Sequence, residues 1–168
     1  MENRDKGEHR MDDVRRLMAI EEIRRLKARY YRCMDTKDWV GLAKVFAPDA
    51  VFDLRRVNST RHPLTGEWTP PFGDDSAIHR GHAAVMTMIR DAVSHLVTIH
   101  HGHMSEIEIT GENTARAIWA MEDTILNAPG DPPLYMHGMG HYHDEYVRLP
   151  TGWAISNTRI TRLFLDRG

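Results

Sequence analysis

The spacing of apolar residues changes once along the chain, and that change limits the fold more than any other feature. From Asp12 to about Asp35-Thr36, residues Ala19, Ile23, Leu26, Tyr30 and Cys33 recur at steps of four and three, one stripe of an amphipathic helix. Asp38 suits the N-cap of a second short helix, Trp39–Phe46, which Pro48 terminates. Val85, Met86, Ile89 and Val93 mark a third helix over His82–Val93, and Ala50–Leu54 reads as a short strand. Beyond this point the period is two. Leu96–Ile109, Ala115–Leu126, Leu134–Val147 and Trp153–Leu165 are β-rich runs, parted by turn sequences at 110–113, 129–132 and 149–152. Helices followed by an antiparallel meander predict an α+β fold in which a curved sheet buries one face against the helices. The curvature is expected to leave a cone-shaped cavity between the layers.

Residues 1–11 are charged and read as a disordered tail, leaving 12–168 as a single domain. The stretch 55–80 holds three prolines and two glycines and is expected to be a mobile loop or a lid over a pocket. Against 24 Asp+Glu stand 22 Lys+Arg, so the balance of −2 offers no electrostatic footprint for nucleic acid or an anionic membrane. No apolar run approaches the ~18 residues of a membrane span. The charged N-terminal segment lacks the apolar core of a secretory signal. A lone cysteine, Cys33, forbids an internal disulfide and fits a cytoplasmic protein.

Histidine is the unusual count, at eleven. Side chains alternate across a strand, so in Thr98–His103 the ring of His100 lies on one face and those of His101 and His103 on the other. Gly102, on the face of His100, would open room for a ligand. In Met136–His143, residues His137, His141 and His143 share one face while Gly138, Gly140 and Tyr142 share the opposite one. Short His-x-His pairs could also chelate a metal, as in His101-x-His103 with Glu106 and His141-x-His143 with Glu145. The long helical opening and the missing glycine spacing weigh against a cupin-like site, and no metal or other cofactor is expected. Arg159 in the last strand could bind a substrate carboxylate. The methionines suit an irregular core or a soft cavity.

Four passages carry a resemblance across roughly residues 12 to 165: Ile23–Tyr30, Asp35-Thr36-Lys37-Asp38-Trp39, Phe46–Phe52 and Gly152-Trp153-Ala154-Ile155. In order and spacing they resemble the SnoaL-like branch of the nuclear-transport-factor-2-like superfamily, an α+β cone of cystatin-like type. Within it they are similar to scytalone dehydratase and bile acid 7α-dehydratase. Leu54 and Ile125 stand where scytalone dehydratase has tyrosine and a second histidine. The resemblance implies a cofactor-independent lyase (dehydratase) or isomerase acting on a hydrophobic, carbonyl-bearing small molecule. It places His100 in the pocket as a base, with Asp123 on the next strand orienting it. Tyr30, facing inward from the helical stripe, would polarise the carbonyl, and Asp35 would hold a water or serve as acid, or cap the turn instead. Tyr142, Trp119, Phe52, Leu54 and Arg159 are the expected substrate contacts. The outer sheet face, with its histidines, is expected to join copies into a dimer or trimer that loosens below about pH 6. A non-catalytic ligand-binding or assembly protein of the same fold is the alternative.

Overall fold

The computed structural model of the protein describes the backbone of residues 2–131 and 135–168 and the side chains from Asp13 onward in that range. Helix α1 spans Glu2–Asp35, so its bounds take in most of the stretch expected as a tail, of which Met1 lies outside the described residues. The stripe Ala19, Ile23, Leu26, Tyr30 and Cys33 is buried, joined by Lys27, Tyr31 and Met34 on the flanking positions.

The helix closes on a tight turn. Lys37 N–H donates to Met34 O at 3.3 Å and Asp38 N–H to Cys33 O at 2.9 Å, the paired bonds of a Schellman end. Lys37 occupies the left-handed position of that motif, at φ 59°, where glycine or asparagine is the usual choice. For another residue that backbone costs about 1–2 kcal/mol. Asp38 then caps helix α2, Trp39–Ala43, by accepting from Gly41 N–H at 2.8 Å. This helix is shorter than expected. Pro48 disfavours the helical region for Ala47, and the chain is already extended from Phe46 as strand β1, Phe46–Asp53.

The segment between β1 and helix α3 (His82–Val93) is less irregular than its composition implies. It contains a single 3-10 turn at Asp75–Ala77 and a three-residue strand β2, Ile78–Arg80, antiparallel to β1. Three residues are too few to display a period of two, which is why the strand leaves no mark in the sequence. Upstream, Thr60 bridges to Arg162 and Arg61 N–H donates to Arg162 O at 2.8 Å. These bonds lay the segment along the end of the last strand.

Strands β3 (Leu96–Gly111), β4 (Thr114–Asn127), β5 (Tyr135–Leu149) and β6 (Gly152–Asp166) form the expected antiparallel meander. Residues 132–134, where the turn before β5 and the expected strand start at Leu134 fall, lie outside the described residues. Among the described residues the sheet has six strands in the order β2-β1-β6-β5-β4-β3, and it is mixed because β1 runs parallel to β6. Its inner face packs on the three helices. Along β4 that face carries Ala115, Ala117, Trp119, Met121 and Asp123, all buried, and along β5 Tyr142, Asp144 and Tyr146.

Candidate active site

Between α1, α3 and the inner face of the sheet lies a cavity of about 420 Å³. Met34, Phe52, Leu54, Met88, Ile89 and Ile125 supply much of its apolar wall, while His100, Asp123, Tyr30, Tyr142 and Arg162 bring polar atoms to it. Of the residues expected from sequence, His100, Asp123, Tyr30, Tyr142, Phe52 and Leu54 are therefore in the wall.

His100 is held by Asp35. The imidazole Nδ1 lies 2.6 Å from Asp35 Oδ1, and the backbone N–H of His100 donates to Asp35 Oδ2 at 2.9 Å. The Thr98 hydroxyl adds a third bond, to Asp35 Oδ1 at 3.0 Å. Burial opposes ionisation of Asp35 and is the largest single influence. The hydrogen bonds from the His100 ring and backbone, the charge of His100 and the Thr98 hydroxyl together outweigh it, and hold the carboxyl below its usual range. An ionised carboxylate only accepts, so Nδ1 carries the proton and Nε2 is left as the basic nitrogen. Nε2 has no protein partner among the described residues.

Asp123 does not orient His100, which corrects the expectation. It accepts two bonds from Arg162, Nη1 to Oδ1 at 2.8 Å and Nη2 to Oδ2 at 2.7 Å, in a buried bidentate pair. Arg162 Nε donates to Val57 O at 2.7 Å, so the guanidinium also ties the loop to the sheet. Gly138, opposite Asp123 in register, makes the pair possible, because a Cβ there would overlap Arg162 Nη1. Both oxygens of Asp35, in turn, are engaged with β3, Oδ1 by His100 Nδ1 and Thr98 Oγ1, and Oδ2 by the His100 backbone N–H.

Gly102 does not open ligand space either. The ring of Tyr31 occupies the position a Cβ would take, and it stacks on His100 with centroids 6.3 Å apart. Beneath the cavity lies a charged layer that sequence reasoning missed. Lys27 Nζ is 2.8 Å from Asp144 Oδ2, with both side chains fully buried. The ammonium also faces the rings of Tyr142 at 3.7 Å and Tyr30 at 4.5 Å. Burial pushes the Lys27 ammonium's pKa down, and Asp144 opposes that shift. Asp144 also accepts from Tyr146 at 2.7 Å and Thr158 at 2.6 Å. Trp119, expected against substrate, lies outside the cavity wall and instead donates Nε1–H to Tyr146 Oη at 2.9 Å. The phenols of Tyr30 and Tyr142 are both pushed above the ordinary range, first by burial; the Tyr142 phenol adds to the rise at Tyr30, whereas at Tyr142 the charge of Asp123 adds to it and the Tyr30 hydroxyl and Arg162 oppose it. They are donors, not phenolates.

Arg159 is likewise outside the cavity. It lies in a hollow on the outer face of the sheet with Asp53, Glu106 and His143. The cause is a register shift in β6: Ile155 pairs with Tyr146 but Asn157 with Glu145. The extra residue moves inward parity from Trp153 and Ile155 to Thr158, Ile160 and Arg162. On that outer face His137 Nε2 donates to Glu122 Oε1 at 2.7 Å, and His103 lies 3.7 Å from the same carboxylate. Among the described residues no three His, Cys, Asp or Glu side chains converge in a way that would hold a metal ion.

A sequence profile of the SnoaL-like domain matches residues 15–159. The probable cyclase FGR4 of Gibberella zeae is 21% identical over 149 residues, spanning 87% of this chain and 92% of that protein. Among solved structures, the hexachlorocyclohexane dehydrochlorinase LinA-type3 of Novosphingobium barchaimii superimposes with a TM-score of 0.70 at 16% identity, covering 93% and 94% of the two chains. A scytalone dehydratase-like protein of Novosphingobium aromaticivorans gives 0.66 at 16% identity, covering 93% and 89%. An NTF2-like protein with a cystatin-like fold from the same organism gives 0.63 at 20%, covering 91% and 87%. At these identities the structural likeness establishes the fold.

Proposed function

The chain belongs to the SnoaL-like domain family, and we propose that it is a cofactor-independent lyase or isomerase acting on a hydrophobic, carbonyl-bearing small molecule. One observation carries the reading: Asp35 Oδ1 lies 2.6 Å from His100 Nδ1, at the wall of an apolar cavity. A histidine oriented by a carboxylate is the arrangement that general-base catalysis needs. Relatives named as a dehydrochlorinase and a dehydratase-like protein are in keeping with proton removal followed by loss of a leaving group.

In this reading His100 Nε2 takes the proton from the carbon next to the substrate carbonyl. The C–H electron pair moves into the new carbon–carbon double bond as the carbonyl oxygen becomes an enolate. Tyr30, with Tyr142 beside it (ring centroids 5.8 Å apart), donates a hydrogen bond to that oxygen. The imidazolium then returns its proton. Delivered to a β-hydroxyl, the proton leaves with it as water while the enolate collapses to the unsaturated ketone. Delivered to another carbon, it completes an isomerisation. The pairing of Asp35 with His100 and of Asp123 with Arg162 leaves His100 to act as both base and acid.

The test is deuterium exchange. One- and two-ring β-hydroxy ketones are incubated with the protein in D2O and followed by NMR for α-deuteration and loss of water. The wild type should exchange and eliminate with at least one of them, and His100→Gln should be slower by ~10²–10⁴-fold. Equal rates in the two proteins would remove the base assignment. Ligands that bind the wild type without any exchange would favour a binding protein.

A further inference from the structure

Lys37 holds an uncommon place. A lysine at the left-handed position of a helix end gives up the ease a glycine would have there. Its side chain is half-buried rather than solvated, and Nζ donates to Thr98 Oγ1 at 2.9 Å. An ammonium has donors only, so this bond takes a lone pair of the Thr98 oxygen. The hydroxyl hydrogen, otherwise a free rotor, is then directed to Asp35 Oδ1 at 3.0 Å. The same oxygen is bonded to His100 Nδ1.

We infer that Lys37 is a positioning residue for the His100–Asp35 dyad, acting through the Thr98 hydroxyl, which it locks as a donor to Asp35. The inference rests on the catalytic reading for its purpose, although the hydrogen-bond chain can be examined without any substrate. Asp35 is reached from three sides: by the His100 ring, by the His100 backbone and by Thr98. With the lysine in place, the carboxylate cannot rotate away from the imidazole without breaking a bond whose donor is fixed from behind. The ammonium also adds positive charge near Asp35, and the two attract.

Other titratable groups face the dyad from the elements packed against it. Tyr31 of α1 stacks on His100. From β4, Asp123 stands opposite His100, its charge matched by Arg162 of β6. On the cavity side stand Tyr30 and Tyr142, and the α3 residues that line the cavity are Met88, Ile89, Ala92 and Val93. Lys37 stands as a cation behind the Thr98–Asp35 bond, and its removal has a defined sign: Asp35 loses a held donor and a favourable charge.

NMR of protein labelled in aspartate carboxyls and histidine rings tests this directly. In Lys37→Met, Lys37→Gly and Thr98→Val the Asp35 carboxyl should titrate higher than in the wild type by about half a pH unit or more. The His100 Nδ1–H proton should also shift or broaden. Lys37→Arg, which keeps the charge and the donor, should restore the wild-type spectrum. Lys37→Gly suits the left-handed backbone, so it removes the ammonium without adding strain and stays informative even if Lys37→Met folds poorly. Unchanged Asp35 titration and unchanged His100 ring signals in folded Lys37→Gly would overturn the inference. A response to Thr98→Val alone would do the same, by showing that Thr98 acts without the lysine. None of these readouts requires turnover, so failure of the lyase reading would appear separately, in the exchange assay.

Discussion

His100 and Asp123 stand directly opposite one another on β3 and β4, yet each is bonded to a different partner. The imidazole turns toward the end of α1 and meets Asp35, while the carboxylate turns along the sheet and meets Arg162. Register alone would have joined them. What separates them is a buried guanidinium, which needs a carboxylate to cancel its charge far more than a neutral imidazole does.

The two aspartates should consequently behave differently. Asp35→Asn keeps the shape but can offer its amide N–H to Nδ1 and so favour the other tautomer. Turnover is expected to fall by ~10²–10⁴-fold while the thermal midpoint changes little. Asp123→Asn should do the reverse, lowering stability first. Parallel measurement of α-deuterium exchange and thermal unfolding on both variants checks this, and equal activity losses would contradict it.

Much of the fold was legible because it rests on period. The α3 bounds His82–Val93, the Asp38 cap and the four long strands all follow from apolar spacing and turn chemistry. The site was legible only in part. Tyr30 is placed inward by the apolar stripe of α1, and His100 and Tyr142 by strand alternation together with the family resemblance, but the partner of His100 is decided by side-chain competition that no spacing reveals. Arg159 was expected against a substrate carboxylate, and an unbroken alternation from Ile155 would turn it inward. A single extra residue in β6 reverses it and brings in Arg162. The nearest clue was local: Ile160 and Arg162 share a face, and Thr161 and Leu163 the other. Lys27 could not be found at all, since a lysine beside an apolar helical stripe normally keeps its ammonium in water.

The Arg162–Asp123 pair should be costly to break and cheap to replace whole. Both side chains are nearly inaccessible, at 2% and 3% exposure, so solvent screening does little. Arg162→Met alone strands a buried carboxylate and should lower stability by about 3–5 kcal/mol. Arg162→Met combined with Asp123→Leu should recover most of that loss. Urea unfolding of the wild type, both single variants and the double variant measures the coupling, and additive losses would show that the pair is not acting as a unit.

Gly102→Ala probes the packing behind His100. The new methyl would collide with the Tyr31 ring, which lies against the imidazole. A loss of about 1–3 kcal/mol is expected from overpacking, together with altered His100 ring signals. Tyr31→Leu should relieve the clash and return part of the stability. Were Gly102 instead lining ligand space, the alanine would leave folding intact and weaken only binding.

Four of the five tyrosines have phenols raised above their ordinary range: Tyr30, Tyr31, Tyr142 and Tyr146, each chiefly through burial. Such a group keeps its proton in the folded protein after the unfolded chain has begun to release it near pH ~10. The folded state then binds more protons than the unfolded one, so its stability is complete below that pH and declines as pH rises beyond it. Lys27 works in the opposite sense, because its lowered pKa makes the unfolded chain the better proton binder, but that influence is exhausted once the unfolded lysine has also titrated near pH ~10.4. Above that point the tyrosines set the slope. Ultraviolet titration at the phenolate band should therefore detect at most one ionised tyrosine in the native protein up to about pH 11, and all five in denaturant at the same pH. Two or more phenolates in a protein still folded by circular dichroism would mean that the aromatic layer over Lys27 is wetter than its packing implies. The donors assigned to the enolate oxygen would then have to be sought elsewhere.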